Sequence, residues 1–447
     1  MEMAKPASEL RRLFSFSNYL IGAMKFKTIS VIGLGYIGLP TAAVLASRKI
    51  NVVGVDVNSR AVDIINSGQI HIVEPDLDIA VHAAVTEGYL RATTRPEPAD
   101  AFLIAVPTPF KKGSLSDHEP DLAYIEAASR SIAPVLKKGD LVILESTSPV
   151  GTTEQMAGWL AEARPDLSFP QQYGEDSDIR IAYCPERVLP GQVLQELIKN
   201  DRVIGGITKK CSDAAVELYK IFVAGECIVA NARTAEMCKL TENSFRDVNI
   251  AFANELSIIC DRQGIDVWEL IRLANRHPRV DILKPGPGVG GHCIAVDPWF
   301  IVSAAPKESK LIRGAREIND GKTLWVIEKI KAEFERISKE KKEVTISCWG
   351  ISFKPNIDDL RESPALMVAK KVAEIAKDCL FIVEPNIEKI PDSFGSTAHL
   401  ISPEKALEIS DINILLVDHA EFRLALKKAN RSGEIFDFCG TLSHSVS

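Results

Sequence analysis

Short hydrophobic runs alternate with stretches of helical character in the first part of the chain. Thr28–Ile32 and Asn51–Val55 are apolar runs of strand length, and 37–47 between them has helical composition. Two further runs, 101–106 and 141–145, show the same strand pattern. Because strands separated by helices usually pair in parallel, we predict an α/β domain with a doubly wound parallel sheet of the Rossmann-like kind.

The hydrophobic period then becomes helical over a long segment. From 235 to 263 the chain contains neither glycine nor proline, and its hydrophobic residues recur at helical spacing. These positions are Met237, Leu240, Val248, Phe252, Leu256 and Ile259. The pattern predicts a long amphipathic helix, and its length indicates a spine between two domains or two subunits.

The last part of the chain returns to alternating strands and helices. A Pro/Gly-rich segment, 284–291, interrupts regular structure, and the charged run 338–343 indicates a linker. Strands are predicted at 344–348 and 379–383, with a helix at Pro364–Ala376 between them, as in a second, smaller Rossmann-like sheet. The predicted parts are an extension at 1–24, a sheet domain at 25–210, a central helical domain at 211–337 and a second sheet domain at 338–447.

Composition and charge narrow the class of protein. The formal net charge is −7 with a pI near 5.8, so nothing indicates a nucleic-acid partner. The nine cysteines show no CxxC or Cys/His metal spacing, which favours a reducing compartment and no metal site. No apolar run reaches the roughly 20 residues of a membrane span. We expect a cytoplasmic protein; a signal peptide within 1–24 is the less favoured alternative.

A glycine-rich turn follows the first strand and predicts a dinucleotide site. The motif G-x-G-x-x-G is formed by 33–38, and its candidate contacts are Gly33, Gly35, Tyr36, Ile37 and Gly38. The glycines allow a tight turn, close approach of a pyrophosphate and close packing of strand and helix. The helix N-terminus supplies free N–H groups to the phosphates. A plain tight turn is the alternative interpretation.

An acidic residue supports NAD as the cofactor. Asp56 follows the second strand, eighteen residues after Gly38, where a carboxylate would bind the adenosine ribose and repel the additional phosphate of NADP. Arg60 complicates this choice because a nearby arginine can hold that phosphate. Pro107, Thr108 and Thr147 follow later strands at their carboxyl ends, where ligands bind in such sheets. Strand termination alone would also explain these residues.

Cys293 is the candidate nucleophile. It stands in the segment 290–298 (GGHCIAVDP), shortly after two glycines that permit unusual backbone conformations close to a ligand. A thiolate can add to an aldehyde, although a single cysteine is more often a small buried hydrophobic residue. Lys239, Asn243 and Arg246 share one polar stripe of the long helix, which taken alone could be a solvated face.

Taken together, these segments resemble the UDP-glucose/GDP-mannose dehydrogenase family from about residue 25 to residue 440. The motifs that carry the resemblance stand in the family order along the chain. They are 33–38, 146–153 (STSPVGTT), 184–191 (CPERVLPG), 239–243, 276–298 (RHPRVDILKPGPGVGGHCIAVDP) and 350–363 (GISFKPNIDDLRES). The resemblance implies an NAD-binding N-terminal domain, a central domain that forms a homodimer or a larger assembly, and a C-terminal domain that binds a UDP-sugar.

The resemblance also implies roles for individual residues. Cys293 would be the nucleophile, Lys239 and Asn243 would polarise the reacting oxygen, and Asp297 would assist proton transfer. Glu186 and Thr147 would position water and substrate, and Arg361 would face the cofactor. Further residues implied to contact the substrate are Arg187, Val188, Arg246, Arg279, Gly290, Phe353 and Lys354, of which Arg279 would reach across the dimer.

One departure from the glucose-type pattern bears on the substrate. The segment 185–190 lacks the aromatic residue and the second acid of glucose-type enzymes and resembles the N-acetyl-sugar branch. The string 276–280 favours the mannosamine isomer over the glucosamine isomer. The implied reaction is a four-electron oxidation of the six-position alcohol to a carboxylate, feeding polysaccharide synthesis. Open alternatives are UDP-N-acetylglucosamine as substrate, a two-electron hydroxyacid dehydrogenase, and an NAD-binding regulator without catalysis.

Overall fold

The computed structural model describes two compact units that divide the chain between Leu240 and Thr241. The described residues are 25–111, 113, 118–189, 191–291, 293–341, 343–376, 379–428 and 433–445. The predicted extension at 1–24 lies outside them.

The first unit contains an eight-stranded sheet. Its strands are β1 Thr28–Ile32, β2 Asn51–Val55, β3 Leu90–Thr93, β4 Ala101–Ile104, β5 Leu141–Leu144, β6 Arg180–Tyr183, β7 Arg202–Gly206 and β8 Cys227–Asn231. Their order across the sheet is β3-β2-β1-β4-β5-β6-β7-β8. All neighbours are parallel except β6 and β7. The predicted doubly wound sheet is confirmed.

The central strands are hydrophobic throughout because both of their faces are covered. In β4, Ala101 and Leu103 pack into one hydrophobic cluster, whereas Phe102 and Ile104 pack into the cluster on the other face. Such continuous apolar runs are typical of parallel sheets covered by helices on both sides. The covering helices are Gly38–Ser47, Ser59–Asn66, Leu77–Thr86, Ala123–Ile132, Thr152–Ala163, Pro170–Tyr173, Val193–Lys199 and Lys209–Tyr219.

One predicted strand and one predicted helix have different ends in the structure, because side chains form hydrogen bonds with the backbone there. The run predicted as a strand over 101–106 ends at Ile104, because the backbone N–H of Val106 donates to Ser146 Oγ at 2.9 Å instead of to a strand. The predicted long helix is confirmed as Ala232–Gln263, and it begins three residues earlier than expected. There Asn231 Oδ1 accepts from Thr234 N at 2.8 Å, which satisfies a donor of the first turn.

The second unit contains the remaining helices and a five-stranded parallel sheet. The helices are Val267–Ala274, Asp297–Ala304, Lys310–Ser338, Pro364–Ala376, Pro403–Ile409 and Ala420–Lys428. The strands are β9 Ile346–Trp349, β10 Leu380–Val383, β11 Ala398–Leu400, β12 Ile412–Leu415 and β13 Glu434–Asp437, in the order β11-β10-β9-β12-β13. The second predicted Rossmann-like sheet is therefore confirmed.

The first strand of this sheet begins two residues later and ends one residue later than predicted. Residues 344–345 were expected in the strand, but Asp411 Oδ2 accepts from both Thr345 N and Thr345 Oγ1, at 2.9 and 2.8 Å. A side chain thus occupies groups that a strand ladder would use.

The predicted domain limits stay predictions. Sheet pairing in the first unit nevertheless continues through β7 and β8 to Asn231, past the limit expected at residue 210. None of the helices that the structure describes is long and apolar enough to cross a membrane.

Candidate active site

The glycine-rich turn after β1 leaves no room for side chains at its first and third glycines. Gly33 has φ +94°, and a Cβ there would lie 2.5 Å from the carbonyl oxygen of Ala105. A Cβ on Gly38 would lie 1.8 Å from the carbonyl oxygen of Gly33. By contrast, a Cβ on Gly35 would meet nothing within 4 Å. The second glycine therefore borders open space beside the N-terminus of Gly38–Ser47, as close approach of a pyrophosphate requires.

Asp56 is held at the carboxyl end of β2 by two backbone donors. Leu34 N and Asn58 N each donate to its carboxylate at 2.9 Å. The side chain is half-buried, and each carboxylate oxygen has a second lone pair available for a ribose hydroxyl. Arg60 is exposed in the first turn of Ser59–Asn66. Tyr36 is also exposed, whereas Ile37 is half-buried and immediately precedes the first helix.

The loops after β4 and β5 are joined at this edge of the sheet. The hydrogen bond from Val106 N to Ser146 Oγ brings the segment with Pro107 and Thr108 next to the segment with Thr147. Pro107 is exposed and Thr147 half-buried. The Oγ1 of Thr108 is buried and has no hydrogen-bond partner within the part of the chain that the structure describes. An orphaned hydroxyl and an open glycine at the carboxyl ends of parallel strands fit a dinucleotide.

A buried glutamate that sequence reasoning missed anchors the loop of Thr147. Glu236, fully buried in the long helix, accepts from Gly151 N at 2.6 Å and from Thr153 N and Oγ1 at 2.8 and 2.6 Å. Burial raises the pKa of Glu236, and these three donors oppose that shift. Lys239 lies one turn further along the same helix and is half-buried.

Glu186 is a nearly buried carboxylate that is tightly paired. Arg202 Nη1 donates to its Oε2 at 2.7 Å, and Arg187 N donates to its Oε1 at 2.6 Å. The side chains of Arg187 and Val188 that follow are half-buried. Glu74, 6% exposed, accepts from Gly191 N and Val193 N and thereby holds the end of this loop. Arg202 and Glu74 were not predicted, because single charged residues beside apolar runs carry no motif.

In the second unit, Cys293 lies one turn before a helix that begins with Asp297. The carbonyl oxygen of Cys293 accepts from Val296 N at 3.1 Å and from Asp297 N at 2.8 Å. Asn243 Nδ2 donates to Asp297 Oδ2 at 2.5 Å. Asp297 is 3% exposed, whereas the Cys293 side chain is exposed. The structure thus joins the Asn243 amide to the Asp297 carboxylate and places the backbone of Cys293 at the start of the same helix.

The glycines before Cys293 are required by tight packing. A Cβ on Gly290 would lie 2.3 Å from the carbonyl oxygen of Glu362, and one on Gly291 would lie 3.0 Å from the Phe353 ring. Phe353 is itself one of the predicted site residues. The glycines therefore let the Cys293 loop lie against the 350–363 segment, which explains the doublet seen in the sequence.

Buried polar residues hold the other end of this loop. Gly286 N donates to Asn254 Oδ1 at 2.9 Å, and Thr323 Oγ1 donates to the carbonyl oxygen of Pro287 at 2.8 Å. Asn254 Nδ2 donates to Asn319 Oδ1 at 2.8 Å, and Asn319 Nδ2 donates to Asp247 Oδ1 at 2.8 Å. Sequence reasoning missed this network. Polar residues on the inner face of two long helices give no signal apart from interrupting the apolar stripe.

The remaining predicted residues of the second unit differ in exposure. Arg246 and Arg279 are exposed. Lys354 is half-buried, and the exposed Arg361 forms an ion pair with Asp359 at 2.6 Å. Their assignment to substrate or cofactor stays a prediction.

No disulfide joins the nine cysteines, and within the described ranges no group of three His, Cys, Asp or Glu side chains could hold a metal ion.

The doubly wound sheet with its glycine turn and acidic partner defines an NAD-binding oxidoreductase. Models of the UDP-glucose/GDP-mannose dehydrogenase family match 27–223 (NAD binding domain), 233–321 (central domain) and 347–444 (UDP binding domain), and the chain belongs to that family. It is an NAD-dependent nucleotide-sugar dehydrogenase.

Individual relatives agree with this family. A UDP-N-acetyl-D-mannosamine dehydrogenase of Yersinia pestis is 67% identical over 404 residues, covering 90% of this chain and 95% of the relative. An NDP-N-acetyl-D-galactosaminuronic acid dehydrogenase of Ralstonia nicotianae is 65% identical over 398 residues, covering 89% and 92%. A solved UDP-D-ManNAc dehydrogenase from Pyrococcus horikoshii has a TM-score of 0.79 and 38% identity, covering 93% and 96%.

Proposed function

We propose that this enzyme oxidises the six-position alcohol of UDP-N-acetyl-D-mannosamine to the carboxylate, with Cys293 as covalent nucleophile. The observation that carries the proposal is a cluster of three residues. The exposed Cys293 and the buried Asp297 lie at the start of one helix, and Asn243 of the long helix donates to Asp297. The names of the Yersinia pestis and Pyrococcus horikoshii relatives support the choice of sugar.

The reaction is two oxidations of one carbon followed by hydrolysis. The alcohol first loses a hydride and a proton and becomes an aldehyde. The Cys293 thiolate adds to the aldehyde carbon, and the thiohemiacetal loses a second hydride and proton to give a thioester. Water then breaks the carbon–sulfur bond and releases the carboxylate and the thiol. Each oxidation would transfer its hydride to one NAD⁺, so two NAD⁺ molecules would be used in succession and two NADH released per sugar.

Amide and ammonium donors stabilise the charge that develops on the reacting oxygen. Asn243 is held by its hydrogen bond to Asp297, so its amide is oriented before the reaction begins. Lys239, one turn earlier on the helix, supplies a second donor in our proposal. Each well-placed donor of this kind contributes about 3 to 4 kcal/mol. Asp297 receives protons, and Glu186 with Thr147 positions the hydrolytic water and can accept its proton.

Binding of cofactor and substrate is assigned to the predicted residues of each unit. For NAD these are Gly33, Gly35, Tyr36, Ile37, Gly38, Asp56, Arg60, Pro107, Thr108, Thr147 and Arg361. For the substrate these are Glu186, Arg187, Val188, Lys239, Asn243, Arg246, Arg279, Gly290, Phe353 and Lys354.

Other epimers of the N-acetylhexosamine compete with the mannosamine isomer as the substrate. The Ralstonia nicotianae relative is as similar as several mannosamine enzymes, and UDP-N-acetylglucosamine remains a third candidate. NADH formation with a panel of UDP-N-acetylhexosamines, at equal concentrations, measures the preference. The mannosamine isomer should give the highest kcat/KM and two NADH per sugar. One NADH per substrate would instead indicate a two-electron dehydrogenase.

The nucleophile is tested with two cysteine variants. Cys293→Ser should abolish uronate formation, because the weaker hydroxyl nucleophile cannot form the thioester. Cys260→Ser is the matched control, since Cys260 is 2% exposed on the long helix and burial raises the pKa of its thiol. Equal losses in both variants would refute the assignment of Cys293.

We also propose that the enzyme is a homodimer and acts in the cytoplasm. The long helix exposes Phe245, Phe252 and Ile259, which are 71%, 54% and 45% exposed and spaced by seven residues. Large apolar residues in such a row need a covering partner, and a second copy provides an equal row. Phe252→Glu should convert the dimer into monomers in analytical ultracentrifugation. An exposed thiol nucleophile also requires a reducing compartment.

A further inference from the structure

Two carboxyl groups and one guanidinium are buried together in the first unit. Glu145 follows β5 and Glu186 follows β6, with 3% and 7% of each residue exposed. Arg202 begins β7 and is 1% exposed. Tyr219, at the end of Lys209–Tyr219, and Cys184 are fully buried beside them. The proposed mechanism uses only Glu186.

The hydrogen bonds distinguish the two carboxyl groups. Both oxygens of Glu186 accept strong donors, from Arg202 and from the backbone N–H of Arg187. Glu145 Oε1 accepts from the Tyr219 hydroxyl at 2.6 Å, whereas its buried Oε2 has no hydrogen-bond partner among the described residues. The Arg202 guanidinium lies 5.5 Å from the centre of the Tyr219 ring. Glu186 is therefore the better stabilised anion.

The charge of the cluster favours a proton on one of the two carboxyl groups. Two buried carboxylates against one guanidinium would leave an uncompensated negative charge in the protein interior, which is costly. Burial raises the pKa of Glu145 to about 7, and the charge of Glu186 adds to the shift. The Tyr219 hydroxyl and Arg202 oppose it. A pKa of about 7 would let Glu145 hold its proton below neutral pH and release it above neutral pH.

We propose that Glu145 is a positioning residue that stores a proton beside Glu186 and, on releasing it, adds a second negative charge where Glu186 positions the hydrolytic water. The inference rests on the proposed role of Glu186 and deepens it. When the proton leaves to solvent, the two carboxylates together attract a proton of that water more strongly than one carboxylate does. Removal of this proton from the water is then faster.

The kinetic test compares wild type with Glu145→Gln between pH 6 and pH 8. Glutamine imitates the protonated side chain, so turnover at pH 6 should equal that of wild type. At pH 8 the variant should be at least about threefold slower, because it cannot supply the second charge. A constant ratio of the two rates over this range would overturn the proposal. A merely structural role would lower turnover at both pH values.

Infrared spectroscopy locates the proton independently of turnover. The carbonyl stretch of a protonated carboxyl group should be present in the wild type at pH 6, decrease with a midpoint near 7, and be missing from Glu145→Gln. Tyr219→Phe should move the midpoint upward, since its hydroxyl stabilises the ionised form. Glu74→Gln, which removes another buried carboxyl group of the same unit, is the control and should leave the band unchanged.

These measurements separate the two proposals. Intact turnover in Glu186→Gln would refute the role of Glu186 and the kinetic consequence drawn from it. Absence of a titrating band in the wild type would refute the stored proton alone. Should Glu145→Gln fail to fold, Tyr219→Phe decides: an upward shift of the midpoint supports the stored proton, and an unchanged midpoint overturns it.

Discussion

The two sheets begin with the same turn, and only one continues as a dinucleotide site. In both, the first strand is the third from one edge of the sheet, and the second strand lies beside it. Gly33 and Gly350 follow these first strands with φ +94° and +86°. Each donates its N–H at 2.8 Å to the last residue of the second strand, Val55 and Val383 respectively. The same glycine turn therefore follows the first strand of both sheets.

The acidic residue after the second strand is also repeated. Leu34 N donates to Asp56 Oδ2 at 2.9 Å, and Ile351 N donates to Glu384 Oε2 at 2.8 Å. Asp56 remains half-buried, whereas Glu384 is 3% exposed and lies 3.2 Å from His419 Nε2. In the second sheet a histidine lies against the acid, whereas Asp56 is the residue that we propose binds the ribose.

The two sheets also differ in where the helix after the glycine turn begins. In the first sheet a helix begins at Gly38, five residues after the first glycine, and presents its N-terminus to the turn. In the second sheet the next helix begins only at Pro364. A Rossmann-like turn therefore binds a dinucleotide only when an open glycine, an accessible acid and a nearby helix start occur together.

The largest effect on stability should come from placing a methyl group in the glycine turns of the two sheets. Gly38→Ala places a Cβ 1.8 Å from Gly33 O, and we expect a loss of more than about 4 kcal/mol in stability together with NAD binding. Gly350→Ala, whose Cβ would lie 2.4 Å from Val417 Cβ, should destabilise the second unit and lower NAD affinity far less than Gly38→Ala does. Calorimetric titration with NAD and thermal unfolding measure both. Comparable loss of NAD affinity in the two variants would contradict the comparison.

Stability should depend on pH in opposite directions in the two sheets. The pKa of Glu145 is raised by burial from 4.5 to about 7, so the first unit should lose about 3 kcal/mol as pH rises from 5 to 8. Burial opposes ionisation of Glu384, but His419 and backbone donors hold its pKa below 4.5. The second unit should therefore lose stability only below about pH 4.5.

Hydrogen exchange in peptides that cover β5 and β10, corrected for intrinsic rates, measures these two dependences separately. Glu145→Gln should remove the loss at high pH from β5. Parallel pH profiles for the two peptides would show that the carboxyl groups do not control local stability.

Replacing the two acids should separate binding from stability. Asp56→Asn should raise the Kd for NAD about tenfold, equivalent to about 1.4 kcal/mol, and weaken discrimination against NADP. Glu384→Gln should cost about 2 kcal/mol of unfolding free energy, because it weakens hydrogen bonds to a charged acceptor. NAD titration and urea unfolding of both variants test this division. A changed Kd in Glu384→Gln would argue against it.

The smallest effect concerns glycines that have room for a methyl group. Gly35→Ala should leave the fold intact and lower NAD affinity several-fold, since only the ligand approaches that Cβ. Gly158→Ala is the matched control: it also meets nothing within 4 Å but lies inside the helix Thr152–Ala163. There alanine should add about 0.5 to 1 kcal/mol of stability. Unchanged NAD affinity in Gly35→Ala would remove Gly35 from the cofactor site.

The sequence by itself was sufficient for features that depend on local pattern. The two sheets, the long helix, the glycine turn and the family motifs could all be predicted, since apolar runs, glycine spacing and Gly/Pro-free stretches are written in consecutive residues. Strand and helix limits were less certain. Asp411 and Asn231 decide two of them through side-chain hydrogen bonds.

Only the tertiary structure decided which polar residues support the site. Glu236, Arg202 and Asn254 are single polar residues without a motif, and each acts on a loop far away in the chain. The second acid, Glu384, resembles Asp56 along the sequence, but its buried pairing with His419 depends on a contact between distant segments. A local pattern predicts elements, whereas burial and pairing of charges depend on what the folded chain brings together.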